Sequence, residues 1–190
     1  MNITYQIQFH TDWHCGSGLS AGADLDALVV KDEHELPFVP GKTIKGLVRE
    51  AVEDINLFSE KKIEEADFNK AFGFFDNDKD QKERGEMFFT NAELPKFEQN
   101  AIRKGKLQEY LYRDLARTAL DKNGIAKEHS LRKIEVVVPC TLEGQILNVP
   151  DNKVEIIEQA LKYIKRIGVN RNRGLGRCTI TITKKEGGEK

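Results

Sequence analysis

Apolar and polar residues alternate at the start of the chain. Ile3, Tyr5, Ile7 and Phe9 are separated by Thr4, Gln6 and Gln8, the period-two pattern of a strand with one buried face. Residues 15–22 are too rich in Gly and Ser for an element interior and predict an exposed loop, with a short strand or ribbon over 25–30 after it. Pro37 and Pro40 bias their predecessors away from the helical region, so extended structure runs up to Gly41. Then the period changes: Ile44, Leu47, Val48, Ala51, Val52 and Ile55 fall at steps of three and four, the apolar stripe of an amphipathic helix. Residues 59–132 are charged and irregular, with a short strand at 87–89 and a helix around 108–115, and read as an insertion. Ile134, Val136 and Val138 alternate again, with 141–147 as the returning strand of a hairpin. Asn152 and Glu155 form a capping-box-like start for a helix carrying Val154, Ile157, Leu161 and Ile164, with Gly168 as its stop. Cys178, Ile180 and Ile182 alternate with threonines in a last strand over 177–183.

The order strand, helix, strand, then strand, helix, strand is the split βαβ plan. The expected fold is α+β: a ferredoxin-like (RRM-like) palm, an antiparallel sheet with helices on one face, plus an insertion. At 190 residues the chain is read as a single domain, 1–190, with a core of about 1–57 and 133–183 around the 59–132 insertion. Apolar residues at 39% and charged residues at 32% belong to a globular chain, and no apolar run nears the roughly 20 residues that span a bilayer. The first residues lack a basic segment followed by an apolar one, so no secretory signal is expected. Cys15, Cys140 and Cys178 are odd in number and far apart, which reads as free thiols. The expected location is cytoplasmic, with no membrane partner. Net charge is -1, so a nucleic-acid partner would have to be held by local clusters rather than a global basic field.

Two such clusters stand out. Between the last helix and strand, 168–177 reads GVNRNRGLGR: glycines allow backbone amides to approach a ligand, and Arg171, Arg173 and Arg177 present planar donor forks suited to phosphate oxygens. The same composition also suits a solvated connector. In the second cluster Lys42, Lys45 and Arg49 share a face of the first predicted helix, whose N-terminus favours anions. Gly46 costs that helix about 1 kcal/mol relative to alanine, which suggests a close approach there. A solvated charged face is the competing reading. Leu36 stands where a Walker loop needs its first glycine, so Gly41-Lys42-Thr43 is not a nucleotide-triphosphate motif. His10, His14, Cys15 and His34 are the residues a zinc ion would collect, and 76–80 superficially suits calcium, but Gln81 replaces the required glycine and Met87 the bidentate acid.

Several ordered blocks resemble the RAMP superfamily of CRISPR-associated proteins, in particular guide-RNA backbone subunits of type III effectors. His14-Cys15-Gly16-Ser17-Gly18 with 26–32 is similar to the family's first loop and aspartate-bearing segment, and 36–49, LPFVPGKTIKGLVR, is close to its PG-x-x-x-KG signature. Ala71-Phe72-Gly73, Arg84-Gly85, 117–126 with Glu135, and Gly174-Leu175-Gly176 resemble later blocks. The resemblance implies a palm stacked with other RAMP subunits and a large subunit along one guide RNA, and a thumb-like hairpin within about 113–135 that interrupts the guide–target duplex. It implies RNA contacts from His14, Ser17, Lys42, Lys45, Arg49, Arg171, Arg173, Gly174, Gly176 and Arg177. It implies too that an early-loop aspartate cleaves target RNA with a divalent metal, Mg2+ being expected. Asp26 is the residue chosen as catalyst and metal ligand, with Asp24 as rival, because Ala23-Asp24-Leu25-Asp26 departs from the Gly-Ile-Asp form of slicing members. The alternatives are a scaffold that only binds guide RNA, and a metal-independent guide-processing endoribonuclease using His14.

Overall fold

The computed structural model describes residues 1–20, 25–59, 62–76, 81–119 and 121–187. The first strand, β1 (Asn2–Phe9), alternates in burial as its sequence alternates in polarity: Ile3, Tyr5 and Ile7 have no exposed surface. It is the centre of the main sheet. On one side it pairs antiparallel with the final strand β10 (Cys178–Glu186), and on the other antiparallel with β9 (Thr141–Leu147). Beyond β9 lie the two-residue strands β5 (Phe88–Phe89) and β6 (Ala92–Glu93), and β6 pairs in turn with β2 (Phe38–Val39). The order β10-β1-β9-β6, with helices in the two crossovers, is the split βαβ arrangement expected from the element order.

Helices cover one face. The stripe Ile44, Val48, Ala51 and Val52 of α1 (Gly41–Phe58) and the residues Ile157, Ala160 and Leu161 of α4 (Val154–Tyr163) are buried there, α1 packing on α4 and β5, and α4 on β10. Each fully buried aliphatic chain contributes roughly 1.5–3 kcal/mol, so this helix–sheet layer carries most of the fold. The other face of β1 carries Thr4, Gln6 and Gln8, and the Gln6 amide donates to the Glu143 carboxylate at 2.8 Å.

Four local expectations fail. The stretch 134–138 does not pair with 141–147: β8 (Arg132–Val137) leaves the sheet and forms a separate antiparallel ribbon with β7 (Tyr112–Arg117). That ribbon is the thumb-like hairpin. The helix expected around 108–115 is only a 3-10 turn over Gln108–Leu111, because its successors are strand residues of β7. The capping box is not formed either: α4 starts at Val154 after a 3-10 turn over Asp151–Lys153, with no side-chain cap. It also ends at Tyr163, where Ile164 turns extended to reach the core, well short of Gly168. The 59–132 stretch holds α2 (Glu65–Phe72), the hairpin β3 (Gly73–Asp76) with β4 (Gln81–Arg84), and α3 (Lys96–Gly105), and it lends β5 and β6 to the sheet.

Candidate nucleic-acid interface

The 168–177 loop is anchored rather than free. Val169 N–H donates to the His14 carbonyl at 2.9 Å, Gly176 N–H to the Asp12 carbonyl at 2.7 Å, and Ile167 N–H to the Gly176 carbonyl at 2.9 Å. Gly168 and Gly176 have φ of +93° and +69°, and a Cβ on them would stand 2.3 Å from the His14 carbonyl oxygen and 1.9 Å from that of Ile167. Only glycine permits this loop to lie against the chain leaving β1. Its other side faces the first turns of α1, and Lys42, Gly46, Leu47 and Glu50 line one groove with His14, Gly168, Val169 and Arg171. The α1 N-terminus is set by Gly41, whose N–H donates to the Asn91 side chain at 3.0 Å.

The remaining predicted residues divide between this groove and other places. Arg49 turns from it: its guanidinium meets Glu53 at 3.1 Å, donates to the Gly73 carbonyl at 3.3 Å and lies 5.1 Å from the Phe68 ring. Lys45 is half-buried beside it on α1, away from the groove lining. Beyond Arg171 the groove continues into a cleft where Lys165 and Arg166 face Glu50 and Asp54. Among the described residues no atom stands within 4 Å of a Cβ built on Gly46, so the close approach its sequence position suggested is not made by them. Ser17 closes a turn, its hydroxyl donating to the Leu28 carbonyl at 3.1 Å and accepting from Leu19 N–H. Gly174 (φ +91°) is open to solvent, and Arg177 is exposed at the mouth of β10, its N–H bonded to Thr11. Arg173 faces the ribbon, where its carbonyl accepts from Arg117 at 3.3 Å.

His14 is 2% exposed, and its Nδ1 lies 2.6 Å from the Glu135 carbonyl. A carbonyl can only accept, so Nδ1 carries the hydrogen of this bond. Glu135 is the hub of this region. Its buried carboxylate takes Val29 N–H at 3.0 Å and Lys31 Nζ at 2.8 Å, tying the 25–31 segment to β8. Lys31 in turn sits 4.0 Å over the Tyr112 ring. Burial, and after it neighbouring carboxylates led by Glu135, hold the Tyr112 phenol above its usual pKa.

That segment presents Asp26. Its N–H donates to the Lys133 carbonyl and its Oδ2 accepts Lys133 N–H, both at 2.8 Å, leaving an exposed carboxylate fixed near the outer end of the paired ribbon. Asp24 lies outside the described residues, as does most of the calcium-like 76–80 turn. Among the described residues no group of three or more acidic, His or Cys side chains is assembled to hold a metal. His10 instead bonds Thr179 at 2.8 Å, so the zinc set is not brought together. A single carboxylate still suits Mg2+, which is commonly held by one or two carboxylates together with nucleic-acid phosphates.

Sequence reasoning missed Asp12, which is 8% exposed and pairs with Arg113 of β7, locking the ribbon to the end of β1. It also missed Arg132, which the strand register sets directly opposite Arg117. Neither pairing has a linear spacing that announces it.

Residues 6–179 match the model of the RAMP superfamily. The fold is similar to a chain in the cryo-EM structure of the Type III-B Cmr-beta bound to cognate target RNA, with a TM-score of 0.72 at 10% identity over 96% of this chain and 97% of that one. It is also similar to a chain of the apo-state Type III-B Cmr-beta, with a TM-score of 0.69 at 13% identity over 97% and 98%. No curated protein matches the sequence.

Proposed function

The chain belongs to the RAMP superfamily, and from that membership together with the groove shared by Lys42 and Arg171 we propose that it is a backbone subunit of a type III CRISPR effector, holding guide RNA through its phosphates. The observation that carries this is the meeting of the α1 N-terminus and the 168–171 backbone in one channel. Contacts of this kind position a strand without reading its sequence. A groove lined by glycines, with Lys42 on one wall and Arg171 on the other, suits a ribose-phosphate chain, which would pass on the side of these cations away from the Glu50 carboxylate that also lines it. The end-to-end likeness to Type III-B Cmr-beta chains supports the same assembly, with other RAMP subunits, a large subunit and target RNA as further partners.

Asp26 is the proposed catalyst for cutting complementary target RNA. Its carboxylate would orient, and accept the proton of, a ribose 2′-hydroxyl that attacks the adjacent phosphodiester; the P–O5′ bond breaks and the departing 5′ oxygen takes a proton from solvent water, leaving a 2′,3′-cyclic phosphate and a 5′-hydroxyl. When bound, Mg2+ would be held by Asp26 and the RNA and would supply charge for the phosphate oxygens. Binding is tested by fluorescence anisotropy with a guide-length single-stranded RNA across a salt series. Affinity is expected to fall steeply with salt, by a log–log slope of about 0.7 per phosphate contact. The double variant Lys42→Gln/Arg171→Gln should flatten that slope by more than one while leaving the melting temperature in place. An unchanged slope in that variant would remove the groove from the binding surface.

A further inference from the structure

A second cleft lies between the ribbon and the outer edge of the 168–177 loop. Its volume is about 520 Å³, within the roughly 300–1,000 Å³ typical of ligand sites. Arg117, Arg132 and Arg173 line it with His129, Ser130 and Asn170, and no carboxylate is among its lining residues. Two separate features of these arginines are unfavourable in the free chain. Arg117 and Arg132 are direct cross-strand partners at the outer end of the paired ribbon, and like charges opposite each other destabilise a strand pair. Arg117 Nη1 is, besides, buried without any hydrogen-bond partner, whereas Nη2 of the same group has the Arg173 carbonyl. A donor buried without an acceptor carries a desolvation cost that a bound acceptor would relieve. None of the three arginines has an ion-pair partner among the described residues.

From the cross-strand arginine pair and the orphaned guanidinium we infer that this cleft is a phosphate subsite for an RNA backbone phosphodiester, separate from the Lys42–Arg171 groove. A phosphate there accepts from Arg117 Nη1, separates the Arg117–Arg132 pair electrostatically, and joins the ribbon to the glycine-rich loop through Arg173. Arg132 and Ile134, which line the cleft, flank Lys133, whose backbone fixes Asp26, so the subsite borders the proposed cutting residue. The inference rests on the reading of this chain as an RNA-binding subunit, and it adds the phosphate that anchors the ribbon.

The test compares Arg132→Gln with Arg132→Lys. In the RNA-free chain Arg132→Gln is expected to melt at or above the wild-type temperature, since it removes repulsion. The same variant should weaken RNA binding about tenfold and lower the salt slope by about 0.7, one phosphate contact to a single strand, and Arg132→Lys should recover most of that slope. Two arms identify the strand. A slope change with labelled single-stranded guide RNA and the free chain assigns the subsite to the guide. A change seen only when complementary RNA is added to the guide-loaded complex assigns it to the target. If both arms keep the wild-type slope while Lys42→Gln still reduces it, the groove stands and the subsite is refuted. If neither Lys42→Gln nor Arg132→Gln has any effect, the RNA-binding reading falls with it. A lower melting temperature in Arg132→Gln would also overturn the proposal, because Arg132 would then be paired within the chain.

Discussion

Glu135 offers the sharpest check on how the 25–31 segment is held. In Glu135→Ala the Val29 N–H, in a residue only 3% exposed, loses its acceptor, which costs roughly 1–3 kcal/mol. Lys31 loses a charge-assisted bond of 2.8 Å, worth roughly 1.5–3 kcal/mol by itself. That second figure must be discounted, since Lys31 keeps the Tyr112 ring and stays within 3.7 Å of Glu35. The sum is about 2–4 kcal/mol, or a fall in Tm of about 5–12 °C for a chain of this length. Glu135→Gln keeps an acceptor for Val29 and loses only the charge, so its loss should be less than half as large. Differential scanning fluorimetry at one protein concentration reads both. A Glu135→Ala melting point within about 2 °C of wild type, or a Gln variant as damaged as the Ala variant, would refute the claim that this carboxylate pins the segment.

Asp26→Asn should abolish cleavage of complementary RNA in the assembled complex while leaving guide affinity within about twofold, and EDTA should stop cutting by the wild type; gel analysis of end-labelled target checks both. Gly176→Ala meets a carbonyl oxygen at 1.9 Å in a left-handed backbone, so it should destabilise the chain by at least about 2 kcal/mol in chemical denaturation. Gly46→Ala has the opposite sign: the position is open, so helix propensity should add up to about 1 kcal/mol of stability, and a simultaneous loss of RNA affinity would show that a strand passes over it. Burial pushes the Cys15, Cys140 and Cys178 thiols up to about 12. Folded protein should therefore resist iodoacetamide at pH 8, and stability should fall as pH rises from about 8.5 toward 12, where the unfolded chain ionises thiols that the folded chain keeps protonated.

What was legible in the sequence is what depends on short-range period. Ile3, Tyr5 and Ile7 identified β1 because one face of a sheet imposes a period of two, and Ile44, Val48, Ala51 and Val52 identified α1 because one stripe of a helix imposes a period near 3.6. The partner of a strand has no such signature. Ile134 and Val136 look as much like a strand of the main sheet as Leu142 and Ile146 do, yet only the latter pair reach β1, because Glu135 and the Asp12–Arg113 contact hold β8 and β7 out as a ribbon. Asn152 and Glu155 had the right spacing for a cap, but Pro150 and the 3-10 turn at Asp151–Lys153 bring the chain into α4 by another route.

The candidate site shows the same division more sharply. Lys42 and Arg171 could be singled out as cations near glycines, but not as neighbours, since their meeting depends on Gly168 fitting against the His14 carbonyl and Gly176 against that of Ile167. Arg49, one helical turn from Lys45, is equally basic and is spent on Glu53, Gly73 and Phe68. Charge and spacing therefore selected a helix that carries the right side chains without deciding which of them face the groove. Position along the axis decides: Lys42 and Arg49 are on the same side of α1 but two turns apart, so Arg49 reaches Phe68 of α2 and the Gly73 carbonyl while Lys42, in the first turn, lines the groove beside the loop. Replacing Arg49 with Gln should then lower stability by about 1 kcal/mol through the lost Gly73 and Phe68 contacts and leave the RNA salt slope unchanged, whereas Lys42→Gln should lower the slope by about 0.7 and leave stability unchanged. Melting and salt-dependent anisotropy on the two variants separate a structural cation from a binding one, and an exchange of those two outcomes would place the strand beside α2.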